Sequence, residues 1–266
     1  LFIDLGTNGE IVFGNRDFLM SCACSAGPAF EGGDISCGMR ATDGAIEACT
    51  LDKDTMEPTL RIVGEANQKA VGICGSGIID IISELFRCSI INAKGLFIRE
   101  GRRVRRDAHG MGRFVLAEPE ESETGREISI NEVDIDNFIR AKGAVFSAIE
   151  TLLNAVDMSV DAIDHVYVAG GIGSGINMKN AVNIGMFPDV DLEKVHLHRQ
   201  LLPDRCLRHG HERRSHRNLS EGSLQHDLSG ALHPSGVHGR LRGGLLPTPY
   251  QRQTVPPQLP GVSRCK

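Results

Sequence analysis

Two glycine-rich stretches of this chain carry residue types that bind phosphate. In the first, LFIDLGTNGEIVFGN (residues 1–15), an apolar run stops at Asp4 and enters a glycine-rich turn before a second apolar run. Glycine backbone N–H groups can approach an anion closely, threonine adds a hydroxyl, and a carboxylate can orient Mg²⁺ through water. The candidate residues of this stretch are Asp4, Gly6, Thr7, Asn8 and Gly9. The same Asn-Gly pair is typical of a plain β-hairpin in which Gly9 takes a positive φ, and both interpretations stay open.

The second stretch, HVYVAGGIGSGINMKN, predicts a strand at 165–169, a glycine loop, and a helix at 178–185 with Asn177 as its N-cap. Strand, loop and helix in this order often hold nucleotides, because a helix N-terminus favours negative charge. The spacing is not the dinucleotide-binding fingerprint, since the loop reads G-G-x-G-x-G rather than G-x-G-x-x-G. The candidate residues of this loop are Gly170, Gly171 and Gly173.

The elements that must position these loops follow from apolar periodicity. The first stretch predicts two strands, the second ending near Phe13, and residues 134–158 predict a long amphipathic helix. GICGSGIIDIISELFRC predicts another helix that opens at Gly75-Ser76-Gly77. That glycine-serine-glycine entry is typical of an anion site or of a tight turn at a helix start. The order of strands and helices indicates an α/β or α+β core.

Charge, cysteine usage and hydropathy exclude several classes of function. The five arginines of 98–110 are followed by the acidic EPEESE, which favours a solvated hairpin tip over a nucleic-acid patch. Six cysteines precede residue 197 without a C-x-x-C pair, so buried reduced thiols of a cytosolic protein are favoured over iron–sulfur or zinc binding. No run of about 18 apolar residues is present, so we expect no membrane-spanning helix.

Composition changes abruptly near residue 197. Residues 197–266 hold 11 basic and 4 acidic side chains, whereas residues 1–196 hold 18 basic and 30 acidic ones. The last 70 residues also contain seven of the ten histidines and seven of the eleven prolines, and neither isoleucine nor phenylalanine. Two different compositions are therefore joined at this point.

Six motifs in one order resemble a known family. They are LFIDLGTNGEIVFGN, CSAGPAFEG, ISCGMRATDGAI, GICGSGIIDIISEL, DIDNFIRAK and VYVAGGIG followed by AVNIGMFPDV. This series resembles the C-terminal ATPase domain of the reductive activators of corrinoid proteins, which belong to the actin and sugar kinase (ASKHA) superfamily. The resemblance covers residues 1–196. It implies a ribonuclease-H-like half-domain, a mixed sheet flanked by helices within the α/β class.

The resemblance also implies site roles, cofactors and partners. Asp4–Glu10 is the second phosphate loop of such an ATPase, and Gly170–Gly173 is its adenosine loop. Asp4 and Glu10 are the expected carboxylates around Mg²⁺ and water, with Asp4 on the metal side, and ATP is the nucleotide. The expected partner is a corrinoid protein, reduced from Co(II) to Co(I) in the cytoplasm, with neither nucleic acid nor membrane bound.

Parts of the family's architecture have no counterpart in this sequence. The first phosphate loop and the N-terminal domain with the iron–sulfur cluster are missing, so we interpret the chain as the second half of an ATPase from a longer, homodimeric protein. As a fragment it is expected to be inactive alone. Alternatives are a small-molecule kinase or another iron–sulfur activating ATPase of the superfamily. A non-catalytic docking or dimerisation scaffold is a third alternative.

We interpret residues 197–266 as an irregular, disordered tail produced by a reading-frame shift. The family continues at this point with FIGNSSL and a helix, whereas this chain reads LHRQLLPDRC. If Leu-His-Arg-Gln is encoded CTT-CAT-CGG-CAA, dropping the first base gives Phe-Ile-Gly-Asn. On this interpretation RHGHERRSHR (208–217) is neither a metal site nor a nucleic-acid contact.

Overall fold

The computed structural model describes residues 1–171 and 175–198, which form strands, three α-helices and three short 3-10 helices. The strands are β1 (Phe2–Leu5), β2 (Gly9–Gly14), β3 (Leu19–Cys24), β4 (Ala45–Leu51), β5 (Pro58–Ile62), β6 (Gly72–Ile73), β7 (Val104–Arg106), β8 (Gly112–Ala117), β9 (Ile128–Asn131), β10 (Val166–Gly170) and β11 (Val195–Leu197). The α-helices are α1 (Gly75–Arg87), α2 (Glu132–Ala155) and α3 (Met178–Asn183). The 3-10 helices span Pro28–Glu31, Val160–Ala162 and Leu192–Lys194.

A five-stranded mixed sheet is the centre of the fold. Its strand order is β11-β10-β1-β2-β3. The strands β1, β10 and β11 are mutually parallel, whereas β2 and β3 run antiparallel as a meander from β1. Alternate residues of β1 and β2, such as Ile3, Leu5 and Ile11, are fully buried on one face. The predicted mixed sheet flanked by helices is therefore confirmed.

Helix α2 covers the buried face of this sheet. Its N-cap is Asn131, whose side chain accepts from the backbone N–H groups of Val133 and Asp134 in a capping box. Toward its middle, Val145 lies against Gly9 at the start of β2, and the Ala148 carbonyl lies 3.9 Å from Cys22 Sγ on β3. The predicted long amphipathic helix is confirmed, and it begins slightly earlier than its apolar pattern indicates.

Two smaller sheets, β5-β4-β6 and β7-β8-β9, form the rest of the described structure. Helix α1 packs mainly on β4, where a Cβ on Gly77 would lie 2.1 Å from the Ile46 carbonyl oxygen. Only glycine allows the helix to approach the strand this closely. The Gly75-Ser76-Gly77 entry therefore serves at least one structural purpose, a tight helix start.

The arginine-rich run forms a hairpin, but it is not merely a solvated tip. Strands β7 and β8 pair across a turn, as predicted. However, Arg103 is 6% exposed and pairs with both Glu57 and Glu121, and Arg105 pairs with Glu118 and Glu127. The acidic neighbours are thus ion-pair partners of the arginines across the small sheet. The hairpin tip at 107–110 is exposed, as expected, but the arginines at the base of the hairpin are paired, which the sequence does not reveal.

The cysteines agree with the reduced-thiol interpretation. Cys49, Cys74 and Cys88 are buried, whereas Cys22, Cys24 and Cys37 are half-buried, and all six are free. Burial raises the pKa of the Cys49 thiol, as expected for an unreactive core cysteine. Among residues 1–171 and 175–198, no helix has both the length and the apolar character needed to cross a bilayer.

Most of the compositionally distinct C-terminal segment lies outside the described residues. Leu197, where that segment starts, is still the last residue of β11, and the His198 backbone N–H donates to the Val168 carbonyl. The expectation of an irregular tail concerns residues beyond this point and remains a prediction.

One charged side chain of α2 is buried in the core. Lys142 is 2% exposed, and on the helix it follows Phe138 by four residues and precedes Val145 by three. Residues at these spacings share one helix face, so Lys142 lies on the face that packs on the sheet. Burial lowers the pKa of its ammonium group to about 8.

We predict that Lys142→Met stabilises the fold at pH 7. The depressed pKa means that the unfolded chain binds more protons between pH 8 and the ordinary lysine range, so wild-type stability rises with pH through that window. The shift corresponds to a free-energy cost on the order of 3 kcal/mol, which methionine removes. Urea unfolding of the full chain at pH 7 and pH 10 measures this effect. Lys179→Met, at an exposed position of α3, is the control and should change little. Equal stability of Lys142→Met and wild type at pH 7 would contradict the expectation.

Candidate functional site

The first predicted loop is the tight connection between β1 and β2. Gly6 N–H donates to the Asn8 carbonyl at 3.0 Å, which closes the turn, and Thr7 and Asn8 are exposed. Asp4 and Glu10 are directly paired across the two strands, so their side chains lie on the same face of the sheet. Asp4 is half-buried and Glu10 is exposed. The turn thus brings two carboxylates and a hydroxyl to one sheet edge.

Gly9 is required for close packing between strands and not for a positive φ. The Asn-Gly pair predicts a positive φ at Gly9, but the left-handed glycines of the described structure do not include it. Instead, a Cβ at this position would lie 2.6 Å from Cys24 Sγ on the neighbouring strand. The glycine is needed for side-chain packing between strands, which only the tertiary structure reveals.

The second predicted loop begins beside the first. Strands β1 and β10 are parallel neighbours with Leu5 opposite Gly170, so their carboxyl ends meet at one edge of the sheet. The φ of Gly170 is +99°, and a Cβ there would lie 2.1 Å from the Leu5 carbonyl oxygen and 2.7 Å from Asp4 Oδ1. The Asp4 carboxylate therefore lies directly against Gly170. The two candidate loops are therefore adjacent at this point.

The rest of the second loop opens away from this contact. Gly171 is exposed, and a Cβ on it would meet no atom within 4 Å. Gly173 lies outside the described residues. The chain continues at Gly175 and enters α3, where the Asn177 side chain accepts from the Asn180 backbone N–H as the predicted N-cap. The helix ends at Asn183, two residues before the predicted end.

Glu31 joins the site although it lies outside both glycine-rich loops. It is the last residue of the Pro28–Glu31 3-10 helix, which lies between Gly27 and Gly32, both with positive φ. Glu31 Oε1 accepts a hydrogen bond of 3.0 Å from Thr7 Oγ1. A glutamate enclosed by glycines in GPAFEGG was the available signal. The structure therefore adds a third carboxylate next to the turn.

The start of α1 reaches the same region. Ser76 Oγ lies 3.4 Å from where a Cβ on Gly175 would be, so the helix entry is adjacent to the second loop. The N-cap Cys74 provides no side-chain cap, and the first turn contains no acidic residue. The unsatisfied N–H groups of this turn form a positive end next to the glycine loop.

A partly buried hydrogen bond joins α1 to α3. Asn180 Nδ2 donates to Asp80 Oδ1 at 2.7 Å, joining residues one hundred positions apart in sequence. Burial raises the pKa of the Asp80 carboxyl, and the hydrogen bond from Asn180 partly offsets that effect. This contact holds the helix entry and the glycine loop at a fixed separation.

The protein side chains alone do not build a metal site here. Within residues 1–171 and 175–198, no group of three histidine, cysteine or acidic side chains is arranged to hold a metal ion. A magnesium ion at Asp4 would therefore need most of its ligands from water and phosphate oxygens. Mg²⁺ commonly binds in this way, through one or two carboxylates plus substrate phosphates.

A known protein family matches the described region. The family model for the C-terminal domain of RACo, the ASKHA domain, matches residues 1–198. The chain is 33% identical over 202 residues to the corrinoid activation enzyme RamQ of Eubacterium limosum, a match covering 72% of this chain and 33% of that protein. It is 26% identical over 206 residues to the [Co(II) methylated amine-specific corrinoid protein] reductase of Methanosarcina barkeri, covering 71% of this chain and 34% of that protein.

A solved structure agrees with these relatives. The reductive activator for corrinoid,iron-sulfur protein superposes with a TM-score of 0.69 at 47% identity, covering 73% of this chain and 31% of that one. The chain thus spans about a third of the length of the relatives that it matches.

We predict that Gly170→Ala disrupts the contact between the two loops. The new methyl group would overlap the Leu5 carbonyl and crowd Asp4, and the backbone would be strained at positive φ. We expect the free energy of unfolding to fall by roughly 1–3 kcal/mol, as is typical of strained or overpacked sites.

Gly171→Ala is the matched control, because its methyl group would enter open space and its φ is not left-handed. Urea unfolding of the full-length variants compares the two neighbouring positions. A loss of stability that is equal at both positions would show that the β1–β10 contact is not the cause.

Proposed function

Because the chain belongs to the family of the C-terminal ASKHA domain of RACo, we propose that it is the ATP-binding part of a reductive activator of corrinoid proteins. The function rests on the site at the carboxyl ends of β1 and β10. Relatives acting on corrinoid proteins support the partner class. The chain spans about a third of their length, so the complete reaction also requires parts that lie outside this sequence.

The single observation that carries the proposal is the contact of Asp4 with Gly170. In this arrangement a carboxylate, a turn with exposed backbone groups and a glycine loop share one sheet edge. The space that a side chain at Gly171 would fill is open, since a Cβ there would meet no atom within 4 Å, and it is available to a ligand. The positive end of α1 lies beside the same loop. These features fit a polyphosphate with an attached nucleoside.

Each residue of the site has a proposed role in holding ATP. Gly6–Gly9 surrounds the phosphates, and Gly170, Gly171 and Gly173 line the adenosine side. Asp4, which is half-buried near the end of β1, orients magnesium-bound water. Magnesium would neutralise phosphate charge. Glu10 and Glu31 are the carboxylates available to accept a hydrogen bond from the attacking water.

ATP binding would act on the corrinoid protein through a change of conformation. A site formed between two halves closes when the nucleotide binds one state more tightly than the other. In the complete protein, hydrolysis of ATP to ADP and phosphate would accompany transfer of one electron from an iron–sulfur cluster outside this chain. That electron reduces Co(II) to Co(I) in the corrinoid. The described residues would supply the nucleotide-dependent movement.

We predict weak, magnesium-dependent ATP binding by the full chain, which Asp4→Asn reduces. Losing a hydrogen bond to a charged group commonly costs ~1.5–3 kcal/mol, so we expect roughly a 10- to 100-fold weaker affinity. Isothermal titration calorimetry with Mg·ATP measures this effect. Asp17→Asn, on the exposed turn after β2, and His209→Ala or His211→Ala are the controls. An Asp4→Asn variant that binds like wild type would contradict the assignment, and a chain without ATP affinity would favour a scaffold.

We also predict that the chain alone does not turn over ATP at a useful rate. Phosphoryl transfer needs donors that are preorganised on both sides of the phosphates, and each missing transition-state contact commonly costs ~2.7–4 kcal/mol. This sequence provides one hairpin phosphate loop. Phosphate release measured on the purified chain should stay at the buffer level. Brisk hydrolysis that Asp4→Asn abolishes would overturn this expectation.

A further inference from the structure

Lys142 is a buried cation that the roles above leave unused. It is 2% exposed on the core face of α2, and burial lowers the pKa of its ammonium group. Burying a charge without a partner is costly. A buried ionisable side chain close to a candidate site is itself a candidate for a functional role.

The packing of α2 fixes the level of Lys142 relative to the sheet. The Ala148 carbonyl of α2 contacts Cys22 on β3. One turn earlier, Val145 packs against Gly9, whose partner on β3 is Cys24. Moving three residues toward the start of the helix therefore leads past the end of β3. At a rise of about 1.5 Å per residue, Lys142 lies slightly less than one helical turn beyond Val145 in this direction. Lys142 is thereby level with the hairpin turn between β1 and β2.

A second contact places the same residue from the other side. Phe138, four residues before Lys142, packs edge-on against Phe30 at a ring-centroid distance of 5.6 Å. Phe30 immediately precedes Glu31, which accepts the hydrogen bond from Thr7. Along α2, Lys142 thus lies between Phe138, which packs on the Pro28–Glu31 helix, and Val145, which packs on Gly9. The turn that contains Thr7 connects to both of these contacts, through Glu31 and through Gly9.

We propose that Lys142 is a phosphate-binding cation located beneath the hairpin turn. This inference rests on the proposed function, because it assumes that the turn receives the phosphates of a nucleotide. The ammonium group would donate charge-assisted hydrogen bonds to phosphate oxygens from the α2 side. Asp4 and Glu10 lie on the opposite face of the sheet. The turn would therefore have the carboxylates of Asp4 and Glu10 on one face of the sheet and the ammonium group of Lys142 on the other.

Ligand binding would also change the protonation of Lys142. Burial lowers its pKa to about 8, and a bound phosphate favours the charged form. The titratable groups on the elements packed against α2 are Glu31 on the 3-10 helix, Cys22 and Cys24 on β3, and Glu10 on the far face of β2. Burial raises the pKa of Cys22 and of Cys24, which keeps both thiols protonated. Proton uptake near pH 8.5 would therefore report on Lys142.

Binding measurements with three probes test the inference on the full chain. The probes are Mg·ATP, inorganic tripolyphosphate and adenosine, each titrated into wild type, Lys142→Met and the exposed control Lys179→Met. We expect Lys142→Met to weaken ATP and tripolyphosphate binding roughly 10- to 100-fold, the range for a lost hydrogen bond to a charged group. Adenosine affinity should not change. Calorimetry at pH 8.5 in two buffers should detect proton uptake by wild type that Lys142→Met lacks.

The outcomes separate this inference from the proposed function. If wild type binds Mg·ATP and Lys142→Met binds it equally well, the role of Lys142 is wrong and the proposed function stands. If Lys142→Met loses ATP and adenosine to the same extent, the residue acts on the fold and the inference is overturned. If wild type binds neither ATP nor tripolyphosphate, the proposed function and this inference both fail.

Discussion

The site depends on the parallel pairing of β1 with β10. These strands are more than 150 residues apart in sequence, yet Leu5 lies opposite Gly170 in their register. Parallel strands end at the same edge of a sheet, so both loops emerge together. The close approach of Asp4 to Gly170 is possible only because that position lacks a side chain. All other parts of the site are arranged around this contact.

Three segments that are distant in sequence support that edge. The Pro28–Glu31 helix reaches Thr7, α1 reaches Gly175, and the Asp80–Asn180 hydrogen bond joins α1 to α3. Each contact is short, and each connects residues that are distant in sequence. A nucleotide at this edge would therefore contact several independent segments, so its binding would be coupled to their relative positions.

Asp80 and Lys142 are buried ionisable groups whose charged forms are disfavoured. Burial raises the pKa of Asp80 and lowers that of Lys142. Both residues lie next to the proposed nucleotide site, on α1 and on α2. Buried charged groups that reduce stability are common at functional sites, because function and stability impose different demands on the same positions.

The sequence by itself determined the local elements and the family. Apolar periodicity and glycine placement predicted the β1–β2 hairpin, the second strand and loop, and helices α1 and α2, since these patterns reflect interactions between residues near in sequence. Six ordered motifs identified the family to which the chain belongs. The tertiary structure alone decided that Gly9 avoids Cys24, that Glu31 binds Thr7, that Arg103 is paired and that Lys142 is buried. These contacts join residues from separate elements, and their partners depend on strand order and helix packing, which no local pattern encodes.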